Sequence, residues 1–175
     1  MYCTKHLLGK GGYGSVYETT YKNEKVAIKR IKSGHSSLPK AVVREILALN
    51  AMSKHGTSVK IKDIWVDHLN IHIAMGLGTT TLHSFIHNAS YKKRLELFPA
   101  VFTSCVSILR SLRNSRIAHY DIKPGNILIN EKTGECKLID FGISDFVVTY
   151  NQKPNRIVYT SSFRPPEYED YKDNK

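Results

Sequence analysis

The sequence predicts an α+β fold built from two consecutive parts. Short segments rich in β-branched and aromatic residues, separated by glycine and polar turns, fill most of residues 1–78, which is typical of an antiparallel sheet. After the run Gly76-Leu77-Gly78, apolar residues recur at helical spacing over residues 92–114. We therefore divide the chain at this glycine pair, into residues 1–78 and residues 79–175.

The first part reads as five strands and one helix. HLLG, SVYETTY and KVAIKRI alternate with turns, and IKDIWVDH and NIHIAMGL return to strand composition further along. Between these two groups, LPKAVVREILALNAMSKH places apolar residues at the spacing of an amphipathic helix, and Pro39 suits its first turn. The sequence therefore predicts a five-stranded antiparallel sheet that carries a single helix.

The second part is predicted to open with a helix over residues 92–114, which Pro99 is expected to bend or delay. NILIN and CKLID are short apolar strands on either side of the turn EKTGE. The remainder, up to Lys175, is polar and contains prolines, so it is expected to be loop.

Composition narrows the possible functions. An apolar content of 41% with 10% aromatic residues supports a globular core. We see no run of about 18 apolar residues for a membrane span and no apolar stretch of signal-peptide length at the start, so we expect an intracellular protein, cytoplasmic or nuclear, without membrane contact.

The net charge of +11 favours polyanionic partners, but the basic residues are scattered, which disfavours a nucleic-acid-binding module. Cys3, Cys105 and Cys136 lack metal-ligand spacing and are expected to be reduced packing thiols.

LGKGGYGSVY contains a glycine-rich turn between two predicted strands. Gly9, Gly11 and Gly14 form a GxGxxG pattern, which alone is weak and equally fits a plain hairpin. Its place between two strands argues against a dinucleotide-binding βαβ unit. Glycines there let backbone N–H groups approach phosphate oxygens closely. Lys29, at the end of VAIK, could then neutralise phosphate charge, or it could be a solvated strand lysine.

The stretch IAHYDIKPGNILI sets Asp121, Lys123 and Asn126 between apolar flanks. In isolation it fits a polar turn between a helix end and a buried strand, with Pro124 and Gly125 as ordinary turn residues. A functional interpretation needs support from other segments.

Six motifs in register supply that support, because together they resemble the eukaryotic protein kinase family. They are GKGGYG, VAIK, the helix residue Glu45, HYDIKPGN, DFG and PPE, and they span nearly the whole chain. The resemblance implies a two-lobed fold, with residues 1–78 as the N-lobe and hinge and residues 79–175 as an incomplete, mainly helical C-lobe that ends after PPE. It also implies an ATP-dependent serine/threonine protein kinase, or the N-terminal part of one, which uses ATP and Mg²⁺ and acts on a protein hydroxyl.

The resemblance assigns phosphate and metal contacts. Lys29 would hold the α and β phosphates and pair with Glu45, while Asp140 and Asn126 would each hold a magnesium ion. The nucleotide would be bound by the glycine-rich hairpin, the sheet and the hinge, with Met75 as the gatekeeper. The implied binding set is Leu8, Gly9, Gly11, Gly12, Gly14, Val16, Ala27, Lys29, Met75, Gly76, Leu77, Gly78 and Leu128.

The resemblance also assigns the residues that face the acceptor hydroxyl. Asp121 would orient that hydroxyl or accept its proton, and Lys123 would steady the transferring phosphoryl group. Thr160 matches the threonine that contacts both of them in serine/threonine kinases. This pairing of Lys123 with Thr160 favours transfer to serine or threonine over tyrosine.

Two departures from the family pattern affect the pocket that binds a phosphate on the activation segment. Tyr120 stands where the family has an arginine, and Asp145 replaces a second basic residue, so that Arg44 is the one basic residue retained. We expect either that Asp145 pairs with Arg44 or that it faces solvent. Because a phosphate orders a loop only where cations meet it, we expect activity that does not depend on phosphorylation of this segment. LPKAVVREI and FRPPE, with Arg164, resemble the cyclin-dependent branch.

The length of the chain leaves alternatives open. The family's large lobe continues well past PPE, so the chain could be a fragment, an early-terminated reading frame or a minimal form completed by a partner protein. A nucleotide-binding pseudokinase or scaffold, inactive because the C-lobe is truncated, is the second hypothesis, and a basic nucleic-acid-binding protein rests on charge alone.

The missing helices should leave an apolar helix face uncovered. Its members are Phe98, Val101, Phe102, Val106 and Leu109.

Overall fold

The computed structural model describes residues 6–11, 14–32, 39–67, 70–147 and 160–163. Its first part is an antiparallel sheet whose spatial order is β1-β2-β3-β5-β4. The strands are β1 (His6–Gly11), β2 (Gly14–Tyr21), β3 (Glu24–Lys32), β4 (Ile61–Asp67) and β5 (Asn70–Gly76). The five predicted strands are confirmed. Gly12, Arg164 and the PPE motif lie outside the described residues.

Helix α1 (Lys40–Ser53) is the predicted amphipathic helix of this part. Pro39 immediately precedes it with φ −57° and ψ 133°, so the proline stands at the entrance of the helix. The buried face includes Val42, Glu45, Leu49 and Met52, which follow one another at three- and four-residue spacing. Glu45 is therefore carried on the apolar face, towards the sheet.

The second part contains two helices and five short strands within the described residues. They are β6 (Thr80–Thr81), α2 (Leu82–Asn88), α3 (Tyr91–Asn114), β7 (Ile117–Ala118), β8 (Ile127–Ile129), β9 (Cys136–Leu138) and β10 (Asp145–Phe146). β6, β8 and β9 form one small sheet, and β7 pairs with β10 in another. The two strands and the long helix predicted here are confirmed, whereas α2, β6, β7 and β10 were not predicted.

Helix α3 begins at Tyr91, before Pro99, and runs through it, so the expectation of a delayed start is wrong. Its N-terminus is capped by Ser90, whose hydroxyl accepts a hydrogen bond from the backbone N–H of Lys93 at 3.2 Å. This cap sets the start of the helix. The hydroxyl of Thr103 donates to the Pro99 carbonyl at 2.9 Å, inside a helix that continues past the proline.

The outward face of α3 is apolar. Phe98, Phe102 and Leu109 are 61%, 59% and 54% exposed, and Val101 and Val106 are half-buried. By length and composition α3 could cross a membrane, which corrects the expectation that no segment of the chain could. Of the 18-residue stretch of α3 that meets this criterion, 22% is buried inside the protein. One such helix is weak evidence, because core helices of soluble proteins share these properties. The absence of membrane contact remains a prediction.

The two parts share one continuous core. Ser58, just after α1, forms a parallel bridge with Leu138 of β9, and its hydroxyl donates to the Leu138 carbonyl at 2.7 Å. The Leu138 N–H in turn donates to the carbonyl of Thr57 at 2.9 Å. Buried side chains of the sheet, of α1 and of the second part pack in the same cluster. This junction fixes the sheet above the segment that carries Asp140.

Candidate active site

A buried lysine and two carboxylates meet between the sheet and the second part. Lys29 lies on the central strand β3, opposite Val16 of β2 and Ile73 of β5. Its Nζ is 2.5 Å from Oε1 of Glu45 on α1 and 3.1 Å from Oδ1 of Asp140. The side chains of Lys29 and Glu45 are 8% and 3% exposed, whereas that of Asp140 is 50% exposed. The predicted pairing of Lys29 with Glu45 is present, and Asp140 faces the open side.

The charges of this group are set by burial and by mutual attraction. Burial acts to lower the pKa of Lys29, but Glu45 and Asp140 outweigh it and raise that pKa, so the ammonium remains charged. Burial raises the pKa of Glu45, and Lys29 opposes that rise. Lys29 is therefore a fixed cation whose buried side is neutralised by Glu45 and whose open side meets Asp140.

The loop between β7 and β8 gathers the second predicted group. Asp121 Oδ1 accepts a hydrogen bond from the Thr160 hydroxyl at 2.6 Å, and Asp121 Oδ2 accepts from Asn126 Nδ2 at 2.8 Å. Lys123 Nζ lies 2.7 Å from Oδ2 of Asp121 and 2.8 Å from the Thr160 hydroxyl. Residues 124–126 form a single 3₁₀ turn that brings Asn126 back towards Asp121. All four predicted side chains therefore form one hydrogen-bonded cluster.

This cluster holds Asp121 as a carboxylate. Partial burial acts to raise its pKa, but hydrogen bonds from Lys123, Thr160 and Asn126 outweigh burial and lower the pKa below its ordinary value. A carboxylate with a lowered pKa is a weak base and a good hydrogen-bond acceptor. The lowered pKa of Asp121 therefore suits this carboxylate to orient a hydroxyl group more than to remove its proton early in a reaction.

His119 is a positioning residue that the sequence interpretation missed. It is 3% exposed, and its Nδ1 accepts the backbone N–H of Asp121 at 3.2 Å. Burial lowers the pKa of His119, so the ring is neutral and its Nε2–H donates to the Ile139 carbonyl at 3.1 Å. The imidazole thus joins the residue before Asp140 to the backbone of Asp121. The only sequence signal was its place at the start of HYDIKPGN.

Two residues of the site have left-handed backbone conformations. Tyr120 has φ 65° and Asp140 has φ 62°, a region that residues with side chains seldom occupy. Such conformations cost of order 1–3 kcal/mol and concentrate at functional sites. Tyr120 immediately precedes Asp121, and Asp140 is itself the candidate magnesium ligand. The side chains of Asp121 and Asp140 are therefore both oriented by strained backbone.

The predicted hinge joins the two parts. Met75 is 9% exposed and pairs with Ala27, and the N–H of Gly76 donates to the Lys60 carbonyl at 3.0 Å. A Cβ at Gly78 would lie 2.4 Å from Leu128 Cδ1, so this position brings the hinge onto Leu128. The Gly76 N–H is consequently not available to a ligand. The predicted backbone contacts of the hinge with a nucleotide are therefore limited to its other N–H and carbonyl groups.

The glycine-rich hairpin places its glycines in different surroundings. Gly14 has φ 149°, and a Cβ there would lie 2.2 Å from the Arg30 carbonyl, so glycine is required by the sheet itself. A Cβ at Gly9 would meet no atom within 4 Å. Leu8 is 45% exposed beside an irregularity in the β1–β2 pairing, and Gly11 pairs with Gly14. Gly9 therefore borders open space, whereas Gly14 is packed.

The donor set fits magnesium bound mainly through phosphate oxygens. Asp140 offers a half-exposed carboxylate, and both nitrogen contacts of Asn126 go to Asp121, which directs its amide oxygen elsewhere. Oxygen donors are the ligands Mg²⁺ prefers, and it is usually held by one or two side chains plus substrate phosphates. In the part of the chain that the structure describes, no three His, Cys, Asp or Glu residues cluster as an all-protein cage.

The predicted contact between Asp145 and Arg44 is present. Arg44 Nη1 on α1 lies 3.9 Å from Oδ2 of Asp145 on β10, and both side chains are partly exposed. This ion pair connects the residue next to Glu45 with the segment after Asp140. Asp145 is therefore paired and is not an isolated solvent-facing carboxylate.

The site combines a shielded lysine, a half-exposed carboxylate beside it and a hydrogen-bonded aspartate–lysine–threonine cluster. This combination of side chains is typical of proteins that transfer phosphoryl groups. The family model of the protein kinase domain matches residues 2–174, and the chain belongs to this family. The suspected family and the predicted α+β fold are thereby confirmed.

The chain is also similar to individual kinases. It is 31% identical to serine/threonine-protein kinase 4 homolog B of Dictyostelium discoideum, over 91% of this chain and 14% of that protein. It is 33% identical to the serine/threonine-protein kinase-transforming protein mos of a myeloproliferative sarcoma virus, over 94% of this chain and 53% of that protein. It is also 33% identical to the proto-oncogene serine/threonine-protein kinase mos of Rattus norvegicus, over 87% of this chain and 50% of that protein. The chain thus spans about half the length, or less, of these relatives.

Proposed function

We propose that the chain carries the catalytic centre of a serine/threonine protein kinase, which transfers the γ-phosphoryl group of Mg-ATP to a protein hydroxyl. The observation that carries this proposal is the contact of one threonine hydroxyl with both Asp121 and Lys123, at 2.6 and 2.8 Å. This contact supports the proposal, because a hydroxyl is held between this carboxylate and this ammonium. The names of the kinases similar to this chain support the same acceptor class.

The nucleotide would lie between the sheet and the second part. The open space at Gly9 supports close approach of a phosphate, because no packing within the described protein explains the absence of a side chain there. Lys29 would neutralise phosphate charge from a fixed position, since Glu45 holds its ammonium. Ala27, Val16 and Leu128, which line the core below the hinge, would enclose the adenine.

The residues around the acceptor hydroxyl and the magnesium have distinct roles in this proposal. Asp121 orients the acceptor hydroxyl and takes its proton as the new P–O bond forms and the bond to the leaving phosphate breaks. Lys123 offsets negative charge on the transferring group. Asp140 and Asn126 would hold magnesium, which supplies further neutralisation of phosphate charge when bound.

Phosphate transfer from γ-labelled ATP to a mixture of serine- and threonine-containing peptides tests the proposal. Asp121→Asn keeps the size of the side chain but removes the carboxylate, and we expect a loss of about 10²–10⁴-fold in rate. Glu131→Gln, a change on an exposed turn residue, is the matched control and should leave the rate unchanged.

Two results would contradict the proposal. Equal rates for the wild type and Asp121→Asn would remove the assigned role of the aspartate. Binding of Mg-ATP without measurable transfer by the wild type would instead favour the nucleotide-binding scaffold.

A further inference from the structure

Two histidines lie together on the outer side of the short helix α2. His83 and His87 are both exposed, and their ring centroids are 4.6 Å apart with an angle of 58° between the ring planes. The residue midway between them, Phe85, is 4% exposed and anchors the opposite side of the helix in the core. The two imidazoles therefore share one solvent-facing surface of α2.

Helical periodicity explains why these side chains meet. Each residue turns an α-helix by about 100°, so residues four apart are only about 40° apart around the axis. α2 is held in this geometry at both ends. Thr81 Oγ1 accepts the backbone N–H of Ser84 at 3.1 Å, and the Ala89 N–H donates to the Phe85 carbonyl at 2.9 Å. The histidine pair is therefore presented by a capped helix and not by a loop.

The separation of the rings matches that of two imidazoles that share one metal ion. A metal lies about 2.0–2.1 Å from an imidazole nitrogen, which puts it roughly 3.2 Å from the centroid of that ring. For two rings about 90–110° apart around the metal, the centroids would be about 4.5–5.2 Å apart. The observed 4.6 Å lies in this range. Rotation of two exposed side chains can therefore aim one nitrogen of each ring at a common ion while the backbone stays in place.

We propose that His83 and His87 bind one divalent transition-metal ion, such as Ni²⁺, Cu²⁺ or Zn²⁺, through one imidazole nitrogen each. Imidazole suits these ions, whereas Mg²⁺ prefers oxygen ligands. Among the residues that the structure describes, no three His, Cys, Asp or Glu side chains cluster, so water completes the coordination. The site differs in its chemistry from the magnesium ligands proposed at Asp140 and Asn126.

Chelation, and not local charge, supplies the affinity of this site. The guanidinium of Arg94 donates to the carbonyl of Ile86, the residue before His87, at 2.9 Å, so a positive charge nearby opposes the binding of a cation. Once one imidazole has bound the ion, the helix holds the second at a high effective concentration. We therefore expect a single imidazole to bind on the order of 100-fold more weakly than the pair. Cu²⁺ should bind more tightly than Ni²⁺ or Zn²⁺.

Equilibrium dialysis of the whole, untagged chain against Ni²⁺ tests the proposal, with excess Mg²⁺ present to occupy oxygen sites. Ni²⁺ is the probe because, unlike Cu²⁺, it does not oxidise cysteine thiols. We expect one tightly bound ion per chain in the wild type and binding weaker on the order of 100-fold in His83→Gln. His55→Gln, which removes another exposed histidine, is the matched control and should bind like the wild type.

A combined variant tests the spacing itself. His87→Asn together with Asn88→His keeps the composition of the chain but places the second imidazole about 140° from His83 around the helix. Both positions are exposed, and we expect Ni²⁺ binding as weak as in His83→Gln.

Chemical modification of the wild type gives a measurement that needs no variant. Diethyl pyrocarbonate modifies accessible histidines, and peptide masses identify the modified positions. Ni²⁺ should slow the modification of His83 and His87 together and leave the rate at His55 unchanged.

Three outcomes would overturn the inference. They are a wild type that binds no Ni²⁺ at about 1 mM, a combined variant that binds Ni²⁺ as tightly as the wild type, and equal rates of modification at His83 and His87 with and without Ni²⁺. None of these measurements depends on phosphate transfer, so their failure is separate from that of the proposed kinase function.

Discussion

Replacing Lys29 with methionine should destabilise the fold strongly, because it removes the cation from a buried carboxylate. Glu45 is 3% exposed and lies 2.5 Å from the Lys29 ammonium. Removing one partner of a buried ion pair typically costs about 3–5 kcal/mol, since the other charge is left without compensation. For a domain of this size that corresponds to a melting temperature lower by roughly 6–20 °C.

The loss should also depend on pH. Without Lys29, the pKa of Glu45, which burial already raises above its ordinary 4.5, rises further, and Glu45 takes up a proton in the folded state. A carboxyl group whose folded pKa exceeds its unfolded value contributes stability below the unfolded pKa and loses it as pH rises through the folded pKa. The deficit of Lys29→Met relative to wild type should therefore be larger at pH 8 than at pH 5.

Urea unfolding measured at both pH values provides the assay. Trp65, the single tryptophan, stacks on Tyr21 and His72 at 5.1 and 5.0 Å, so its fluorescence reports loss of the sheet. Lys25→Met is the matched control, because Lys25 lies on the same strand with a side chain that is 77% exposed. Equal losses in the two variants, or a Lys29→Met deficit that is the same at pH 5 and pH 8, would refute the reasoning.

Two further predictions concern the borders of the site. Asp145→Ala should lower the rate of phosphate transfer by a few-fold, because the partly exposed ion pair of Asp145 with Arg44 is worth about 0.2–1 kcal/mol. Phosphatase treatment of the wild type should leave the rate unchanged. A large loss after dephosphorylation, or wild-type activity in Asp145→Ala, would contradict this. Gly14→Ala should lower the melting temperature because its Cβ would clash with the Arg30 carbonyl, whereas Gly9→Ala should keep the melting temperature and weaken the thermal shift produced by Mg-ATP. The same melting temperature for both variants would disprove the distinction.

Local sequence patterns were sufficient for the long elements, whereas the candidate site residues came from the resemblance of six motifs to the kinase family. Strands β2, β3 and β5 and helix α1 carry enough periodic apolar residues to be recognised individually. The short elements α2, β6, β7 and β10 have two to seven residues each, too few for a period to appear. The start of α3 lies within one residue of the predicted residue 92, and the delay expected from Pro99 does not occur because the Ser90 cap determines where that helix begins.

The sequence by itself determined which side chains could carry phosphoryl-transfer chemistry, since Lys29, Glu45, Asp121 and Asp140 each belong to a motif in a set order along the chain. Only the tertiary structure decided which of them touch. The 2.5 Å contact between Lys29 and Glu45 and the neutral His119 that joins Ile139 to Asp121 both depend on packing between segments distant in the chain. Burial and charge at such contacts shift each pKa, and neither exists until those segments pack together.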